Sequence, residues 1–243
     1  MLTWIAALLP SQLDLDRVEF DVQGTTRTAM VHRPKSIKGA PVVFVFHGHG
    51  GNGRQVSRSY RMHAHWPGAL IIYPNGLPTK TPNDPEGKRP GWEITRDPYD
   101  NKDLKFFDVM MDWAKKQGAK AERVYVTGHS NGGFFSYILW ENRASKLAAV
   151  APSAAVFGPQ REISTSLPFF AVVGDDDPLV DTNRQLAGIE RAKALNSSKT
   201  SKTKGKLTIW EGKNPAVVYH HKQGHRFPAD AGQMIADFFK SVR

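Results

Sequence analysis

Short apolar segments recur along the chain and are separated by longer segments of mixed character. The segment Val42–Phe46 is apolar at every position, which is typical of a strand buried on both faces of a parallel sheet. Two earlier segments, 17–22 and 27–32, alternate apolar and polar residues, so they predict a hairpin at a sheet edge. Further strands are predicted at 69–73, 124–126, 147–151, 168–174, 206–210 and 217–221.

Helical periodicity fills the intervals between these strands. One predicted helix ends near Gly118 and carries five apolar residues on one face: Phe106, Phe107, Met110, Met111 and Ala114. Other helices are predicted over 55–65, 134–143, 182–195 and 229–242. Strands that alternate with helices predict an α/β fold, with a mostly parallel central sheet and helices on both faces. We expect one such domain over residues 16–243.

The composition excludes several kinds of site. The 243 residues contain no cysteine, which rules out disulfides, thiolate metal sites and a cysteine nucleophile. No apolar run is long enough to span a membrane. Residues 1–15 form a possible signal or N-terminal segment, because the first ten are largely apolar. This favours a secreted or periplasmic protein, with the cytoplasm as the alternative because no basic residue leads the segment.

The formal net charge is +10, and part of it lies in the segment 193–206, which has five lysines and no acidic residue. We interpret this segment as a solvated surface loop, with attraction to a polyanion as the alternative. No nucleic-acid partner is expected, because no motif for one is present. The protein is expected to be a monomer.

The segment 123–133 gives the clearest chemical signal. Gly128-His129-Ser130-Asn131-Gly132 has the Gly-x-Ser-x-Gly pattern of a nucleophile elbow, a tight turn between a strand and a helix. Such a turn leaves no room for side chains at the two glycines. It presents Ser130 at the N-terminus of the helix, where the backbone N–H of Asn131 favours a developing oxyanion. Ser130 is the predicted nucleophile; a glycine-rich turn with an exposed serine is the alternative.

A second glycine cluster, 47–53, directly follows the apolar strand Val42–Phe46. A loop in this position can donate a second oxyanion N–H, and the amide of His49 is the candidate. The spacing also fits a dinucleotide-binding loop, but no acidic residue closes the next strand. A zinc site built from His47, His49, His63 and His65 is a further alternative. We predict neither a metal nor a cofactor.

A serine nucleophile needs a base and a carboxylate that orients the base. Asp175, Asp176 and Asp177 follow one predicted strand, and His225 lies in a glycine-flanked loop after the last strand. Because catalytic groups in this architecture gather at the carboxyl ends of the strands, Asp177 and His225 are predicted to join Ser130. Asp176 is the second choice, and a calcium site at the three aspartates is an alternative.

Two aromatic residues are candidate substrate contacts. Trp92 lies in the long loop 74–98, which is rich in Pro, Gly, Asn and Asp. We expect this loop to form a wall of the substrate cleft, with Trp92 either an apolar platform or a residue that packs to hold the loop. Phe227, two residues after His225, is the second candidate.

On these motifs the chain resembles the esterases of carbohydrate esterase family one and their poly(3-hydroxybutyrate) depolymerase relatives. The resemblance covers most of the chain, and its residues are His47-Gly48 with Gly50-Gly51-Asn52, Tyr73-Pro74-Asn75-Gly76, Gly91-Trp92, Asp103, 124–133, 148–152, Gly174 with Asp177, and 224–228. Phe227 stands where relatives often carry a tryptophan.

The resemblance implies an α/β-hydrolase fold without a large lid and a triad of Ser130, His225 and Asp177. It also implies hydrolysis of carboxylic esters through an acyl-enzyme. The implied substrates are feruloyl or acetyl esters of plant polysaccharide, or hydroxyalkanoate esters. The alternatives are a peptidase similar to prolyl oligopeptidases and a polymer-binding protein without catalytic activity on the same scaffold.

Overall fold

A computed structural model describes residues 15–94, 101–120 and 122–242. Its main feature is one sheet of ten strands. All but the last residue of the predicted N-terminal segment, 1–15, lie outside the described residues. In order across the sheet the strands are β1 (Asp16–Val22), β2 (Thr25–His32), β4 (Leu70–Pro74), β3 (Val42–Phe46), β7 (Val124–His129), β8 (Ala149–Ser153), β9 (Phe169–Gly174), β12 (Ala216–His221), β11 (Leu207–Glu211) and β10 (Thr200–Lys204). A separate short pair joins β5 (Leu77–Pro78) to β6 (Pro90–Gly91).

The centre of the sheet is parallel and its two margins are antiparallel. Strands β4, β3, β7, β8, β9 and β12 run in one direction. The hairpin β1–β2 pairs antiparallel with β4, and β11 and β10 continue the sheet antiparallel beyond β12. The predicted mostly parallel sheet and its edge hairpin are therefore confirmed.

Helices cover both faces of the sheet, as predicted. They are α1 (Gly53–Tyr60), α2 (Met62–His65), α3 (Lys102–Lys116), α4 (Asn131–Arg143), α5 (Thr182–Leu195) and α6 (Ala231–Ser241), with a short 3₁₀ turn at Ala144–Lys146. The side chains of β3 alternate between the two layers: Phe44 packs with α3 and α4, and Val43 packs with α1 and α6. Burial on both faces explains why this strand is apolar throughout. No helix in the described ranges is long and apolar enough to cross a membrane.

Two sequence predictions need correction. The helix predicted over 55–65 is broken at Arg61, whose left-handed backbone (φ 47°) ends α1 and precedes α2. The lysine-rich segment is only partly a loop, because Thr200–Lys204 forms β10 at the edge of the sheet. Every residue of β10 is exposed, so no apolar pattern marked it as a strand. Lysines on an edge strand discourage pairing with another chain.

The carboxyl ends of the parallel strands lie at one edge of the sheet, and three loops of interest begin there. Ser130 follows β7, Asp177 follows β9 and His225 follows β12. The connection 154–168 after β8 contains neither helix nor strand, and no inserted domain is present in the described part of the chain. The fold therefore brings the predicted triad residues to the same edge.

A buried ion pair ties this edge to the first strands. Arg27 on β2 lies 2.7 Å from Asp103 at the start of α3, and their side chains are 1% and 0% exposed. The other carboxylate oxygen of Asp103 accepts the backbone N–H of Glu93 at 2.7 Å. The guanidinium also lies over the ring of Phe106. One carboxylate thus joins β2, the segment after β6 and α3.

Asp103→Ala should lower the free energy of unfolding by about 3–5 kcal/mol, because it leaves a buried guanidinium without its counter-charge. Denaturant unfolding followed by circular dichroism measures the change. Glu19→Ala is the matched control, since the Arg17–Glu19 pair is 58% exposed on both sides. That change should cost at most about 1 kcal/mol. Equal losses in the two variants would contradict the assigned role of Asp103.

Candidate active site

The turn between β7 and α4 has the geometry of a nucleophile elbow. Ser130 has a positive φ of 56° with ψ −122°, a backbone conformation that non-glycine residues rarely adopt. A side chain on Gly128 would place its Cβ 2.5 Å from the carbonyl group of Gly132, and one on Gly132 would lie 2.3 Å from the carbonyl oxygen of Phe46. Both glycines are therefore required by close backbone packing. A non-glycine residue in this conformation costs about 1–3 kcal/mol, which the surrounding packing must offset.

The three predicted triad side chains form one hydrogen-bonded chain. His225 Nδ1 lies 2.8 Å from Asp177 Oδ2 and 2.9 Å from Oδ1. Because an ionised carboxylate only accepts hydrogen bonds, Nδ1 carries the proton. His225 Nε2 is then free to accept the hydroxyl proton of Ser130, whose Oγ is 2.9 Å away. The side chains are thus arranged as a nucleophile, a base and an orienting carboxylate.

Asp177 is held by donors on every side. Its side chain is fully buried, and Oδ1 accepts the backbone N–H groups of Leu179 and Val180, both at 2.9 Å. Gln185 Nε2 donates to Oδ2 at 3.1 Å. Burial by itself would raise the pKa of Asp177, but the hydrogen bonds from Val180, His225 and Leu179 outweigh it and lower the pKa. The carboxylate is therefore ionised at neutral pH.

Of the three neighbouring aspartates, only Asp177 contacts His225. The carboxylate of Asp175 instead lies 2.7 Å from His220 Nε2. Asp176 is exposed and has a left-handed backbone, with φ 52°. Within the described residues, no group of three or more histidine, cysteine, aspartate or glutamate side chains is arranged to hold a metal ion.

His129, the residue before the predicted nucleophile, holds the backbone of the predicted base, His225. Its Nε2 lies 3.0 Å from the carbonyl oxygen of His225, and its Nδ1 lies 3.0 Å from Ser153 Oγ. A carbonyl can only accept, so Nε2 donates and Nδ1 accepts the hydroxyl proton of Ser153. Burial, and secondarily His225, lower the pKa of His129 to about 4. A neutral imidazole therefore links β7, β8 and the loop of the base.

Two residues that contact the triad network were not predicted from the sequence as site residues. Gln185 lies on α5 and is 1% exposed, and its side chain also donates to the carbonyl of Val180 at 2.7 Å. Ser153 ends β8 and is 1% exposed. A polar residue at a buried position is a detectable signal, but only once the helix face and strand end are known to be buried.

The residues that carry the two predicted oxyanion amides are Asn131, which follows Ser130 in the chain, and His49, which follows a neighbour of the serine. Gly48 adjoins it, since a Cβ at Gly48 would lie 3.7 Å from the Cβ of Ser130, and His49 follows in the chain. Asn131 begins α4 directly after Ser130. Neither the His49 nor the Asn131 amide donates a hydrogen bond to any described residue. A role of these two N–H groups as oxyanion donors stays a prediction.

Trp92 does not line the cleft, so the predicted substrate platform is corrected. Its indole is 0% exposed and packs against Phe46 and Phe135. The indole N–H donates to the carbonyl of His47 at 2.8 Å, and the Trp92 backbone N–H donates to Asn131 Oδ1 at 2.6 Å. The residue fastens its loop to the elbow because its large apolar ring is more stable in the core than in the cleft. Trp92 therefore packs to hold its loop, which is the alternative that the sequence analysis gives for this residue.

Phe227 lies near the site but has packing partners of its own. One face of its ring stacks on Tyr60, with centroids 3.8 Å apart, and its ring contacts His129 edge-on at 6.1 Å. It is half-buried. Contact between Phe227 and a substrate stays a prediction.

His47 is buried beside the site with both ring nitrogens in use. Nδ1 donates to the carbonyl of Gly48 at 2.7 Å, and Nε2 accepts the backbone N–H of Gly76 at 2.9 Å. A zinc ion at His47 would have to displace one of these bonds. Burial lowers the pKa of His47 to about 4.

Comparison with known proteins gives one sequence relative and many structural ones. No protein-family model matches the chain. A bifunctional acetylxylan esterase/xylanase of Neocallimastix patriciarum is 27% identical over 165 residues, which are 65% of this chain and 22% of that protein. The chain therefore spans less than a quarter of the relative's length.

Solved structures share the fold at low identity. An acetyl xylan esterase from Aspergillus awamori aligns over 93% of this chain and 98% of its own, with a TM-score of 0.68 and 14% identity. A Bacillus cereus carboxylesterase aligns over 88% of this chain and 94% of its own, with a TM-score of 0.64 and 13% identity. An esterase from Pyrobaculum calidifontis aligns over 93% of this chain and 85% of its own, with a TM-score of 0.65 and 16% identity. The predicted α/β-hydrolase fold is confirmed.

Neutral buried histidines should make the protein less stable in weak acid. As pH falls from about 6.5 to 4, the unfolded chain binds protons that folded His47 does not, so unfolding becomes easier across this window. A fully buried histidine with such a shift contributes about 3 kcal/mol. We expect the free energy of unfolding in urea to fall steeply from pH 7 to pH 4. His47→Asn should flatten this dependence, and an unchanged slope would contradict the interpretation.

Proposed function

We propose that this protein is a serine hydrolase of carboxylic esters. The observation that carries the proposal is the hydrogen-bonded chain from Ser130 through His225 to Asp177, at 2.9 and 2.8 Å. Each member is supplied by a different loop at the same edge of the sheet. The two free amides beside Ser130 support the same reaction, because acyl transfer develops negative charge on the carbonyl oxygen.

The first half of the proposed reaction acylates the serine. Ser130 Oγ attacks the ester carbonyl carbon while His225 Nε2 takes its proton, and the carbonyl oxygen becomes an oxyanion held by the amides of His49 and Asn131. The tetrahedral intermediate then expels the alcohol, which leaves with the proton returned from His225. Asp177 stabilises the imidazolium that exists between these steps, and it keeps the ring in the reactive tautomer.

The second half releases the acid. A water molecule loses its proton to His225 and attacks the acyl carbon, and the same amides hold the new oxyanion. Ser130 Oγ then leaves and recovers a proton from His225, which regenerates the free enzyme. Apart from the ester and this water molecule, the steps use only side chains and amides of this chain.

The proposed substrates are acetyl esters on plant polysaccharide. The sequence relative is a bifunctional acetylxylan esterase/xylanase, and one structural neighbour is an acetyl xylan esterase. Feruloyl and hydroxyalkanoate esters, which the family resemblance implies, are the other candidate classes. A polymeric substrate would place the working enzyme outside the cytoplasm, and we retain secretion or export, and a monomeric state, as parts of the proposal.

Ser130→Ala should lower the kcat for p-nitrophenyl acetate by about a thousandfold or more, because the hydroxyl is the nucleophile. Asp177→Asn should cause a loss of similar order by disturbing the histidine tautomer. Asp176→Asn is the matched control: its side chain is exposed, and activity should be unchanged. Circular dichroism checks that each variant folds. Full activity of Ser130→Ala, or equal losses at Asp176 and Asp177, would refute the proposed triad.

Acetylated xylan should release acetate faster than methyl ferulate releases ferulate or poly(3-hydroxybutyrate) releases hydroxybutyrate. The acetyl group needs the least room beside Ser130, where Gly48 already approaches. Initial rates for the three substrates, and for a peptide p-nitroanilide, measure the preference. Faster ferulate or hydroxybutyrate release would reassign the substrate class. Amide hydrolysis at a comparable rate would favour a peptidase, and no turnover of any substrate would favour a binding protein.

A further inference from the structure

The segment 84–92 contacts both residues whose amides flank Ser130. At one end, His49 Nε2 lies 2.9 Å from Asp84 Oδ2. At the other end, the side chain of Asn131 forms two hydrogen bonds with the backbone of Trp92: it accepts the N–H at 2.6 Å and donates to the carbonyl at 3.0 Å. The two proposed oxyanion donors are therefore joined through one stretch of chain.

Asp84 is itself firmly placed. Its Oδ2 also accepts the backbone N–H of Arg89 at 2.9 Å, and its Oδ1 accepts that of Lys88 at 3.2 Å. The residue is 8% exposed. The N–H of Arg89 contributes most, and His49 and Lys88 add to it, so that the pKa of Asp84 is lowered to about 2. The side chain is thus a fixed anion that accepts a hydrogen bond from His49 Nε2–H.

The loop that carries His49 needs such an anchor. The segment 47–51, here called the oxyanion loop, has glycine at three of its five positions, and glycine leaves the backbone many accessible conformations. Gly50 N–H donates to the carbonyl of Pro90 at 2.7 Å, and the carbonyl of His47 accepts the indole N–H of Trp92. The carbonyl of Gly48, in the same peptide group as the His49 amide, accepts His47 Nδ1 at 2.7 Å and the Gly51 N–H at 3.0 Å. The side chain of His49 adds the contact that joins this loop to Asp84.

We propose that Asp84 is a positioning residue for the oxyanion hole: through His49 it orients the His49 amide toward the point that the Asn131 amide also faces. The inference rests on the proposed ester hydrolysis. A donor fixed in advance stabilises the transition state without reorganising during the reaction, so its placement affects kcat more than substrate binding. Asp84 touches neither substrate nor reacting atoms and acts only through His49.

Asp84→Ala and His49→Leu both remove this contact, from opposite sides. Each should lower the kcat for p-nitrophenyl acetate by about tenfold to a hundredfold, somewhat less than the loss of an entire oxyanion donor. KM should change by less than about threefold. The kcat of the double variant should equal that of the less active single variant, because both changes delete the same interaction. Thermal unfolding is measured for all three.

Glu86→Ala is the matched control, since it truncates an exposed acidic residue of the same segment that pairs only with Lys88 among the described residues. Its kcat should equal that of the unmodified protein. If Asp84→Ala fails to fold, His49→Leu decides, because it leaves the bonds of Asp84 to Lys88 and Arg89 in place. The inference is overturned if Asp84→Ala or His49→Leu folds and keeps full kcat. It is also overturned if the two losses add in the double variant. Ser130→Ala tests the reaction separately: if it is inactive while both contact variants are fully active, only the inference fails.

Discussion

The arrangement at the catalytic edge depends on how closely the elbow approaches the end of β3. A Cβ on Gly132 would lie only 2.3 Å from the carbonyl oxygen of Phe46, so α4 can begin where it does only because that position has no side chain. Phe46 directly precedes the oxyanion loop. Any increase in this backbone separation would move the serine away from the His49 amide. The close contact of two backbones therefore sets the distance between Ser130 and the loop that carries the proposed oxyanion donor His49.

Three consecutive residues of the elbow hold two different loops. His129 binds the backbone carbonyl of His225, Ser130 binds the ring of the same residue, and Asn131 binds the backbone of Trp92. Because these residues follow one another, their relative positions are fixed by the turn geometry that the two glycines permit. This turn orders the loops of His225 and Trp92 together, whereas Asp177 is held by donors from its own loop and from α5. The loops that the turn holds contain little secondary structure of their own.

The sequence was sufficient where one local pattern determined the outcome. The elbow glycines, the apolar strands and the order Ser130, Asp177, His225 specify the fold and bring the three predicted triad residues together, because each strand end delivers its residue to a common edge. It was insufficient where a role depends on packing. The local sequence around Trp92 would be the same whether the residue faced the cleft or the core. Its burial depends on contacts with Phe46 and Phe135, which are distant in the chain. Thr200–Lys204 has no apolar pattern at all, since an exposed edge strand buries nothing.

Three histidines near the serine differ in role because their partners differ. His47 Nε2 accepts a backbone N–H, so a proton there would face another donor. His129 Nε2 already donates to a carbonyl, and its Nδ1 would gain a proton only against burial that lowers its pKa to about 4. A proton on His225 Nε2 is instead compensated through the same ring by the carboxylate of Asp177. A base must accept and return a proton in each cycle, and of these three rings only that of His225 has both a hydroxyl to deprotonate and an anion to stabilise the charge.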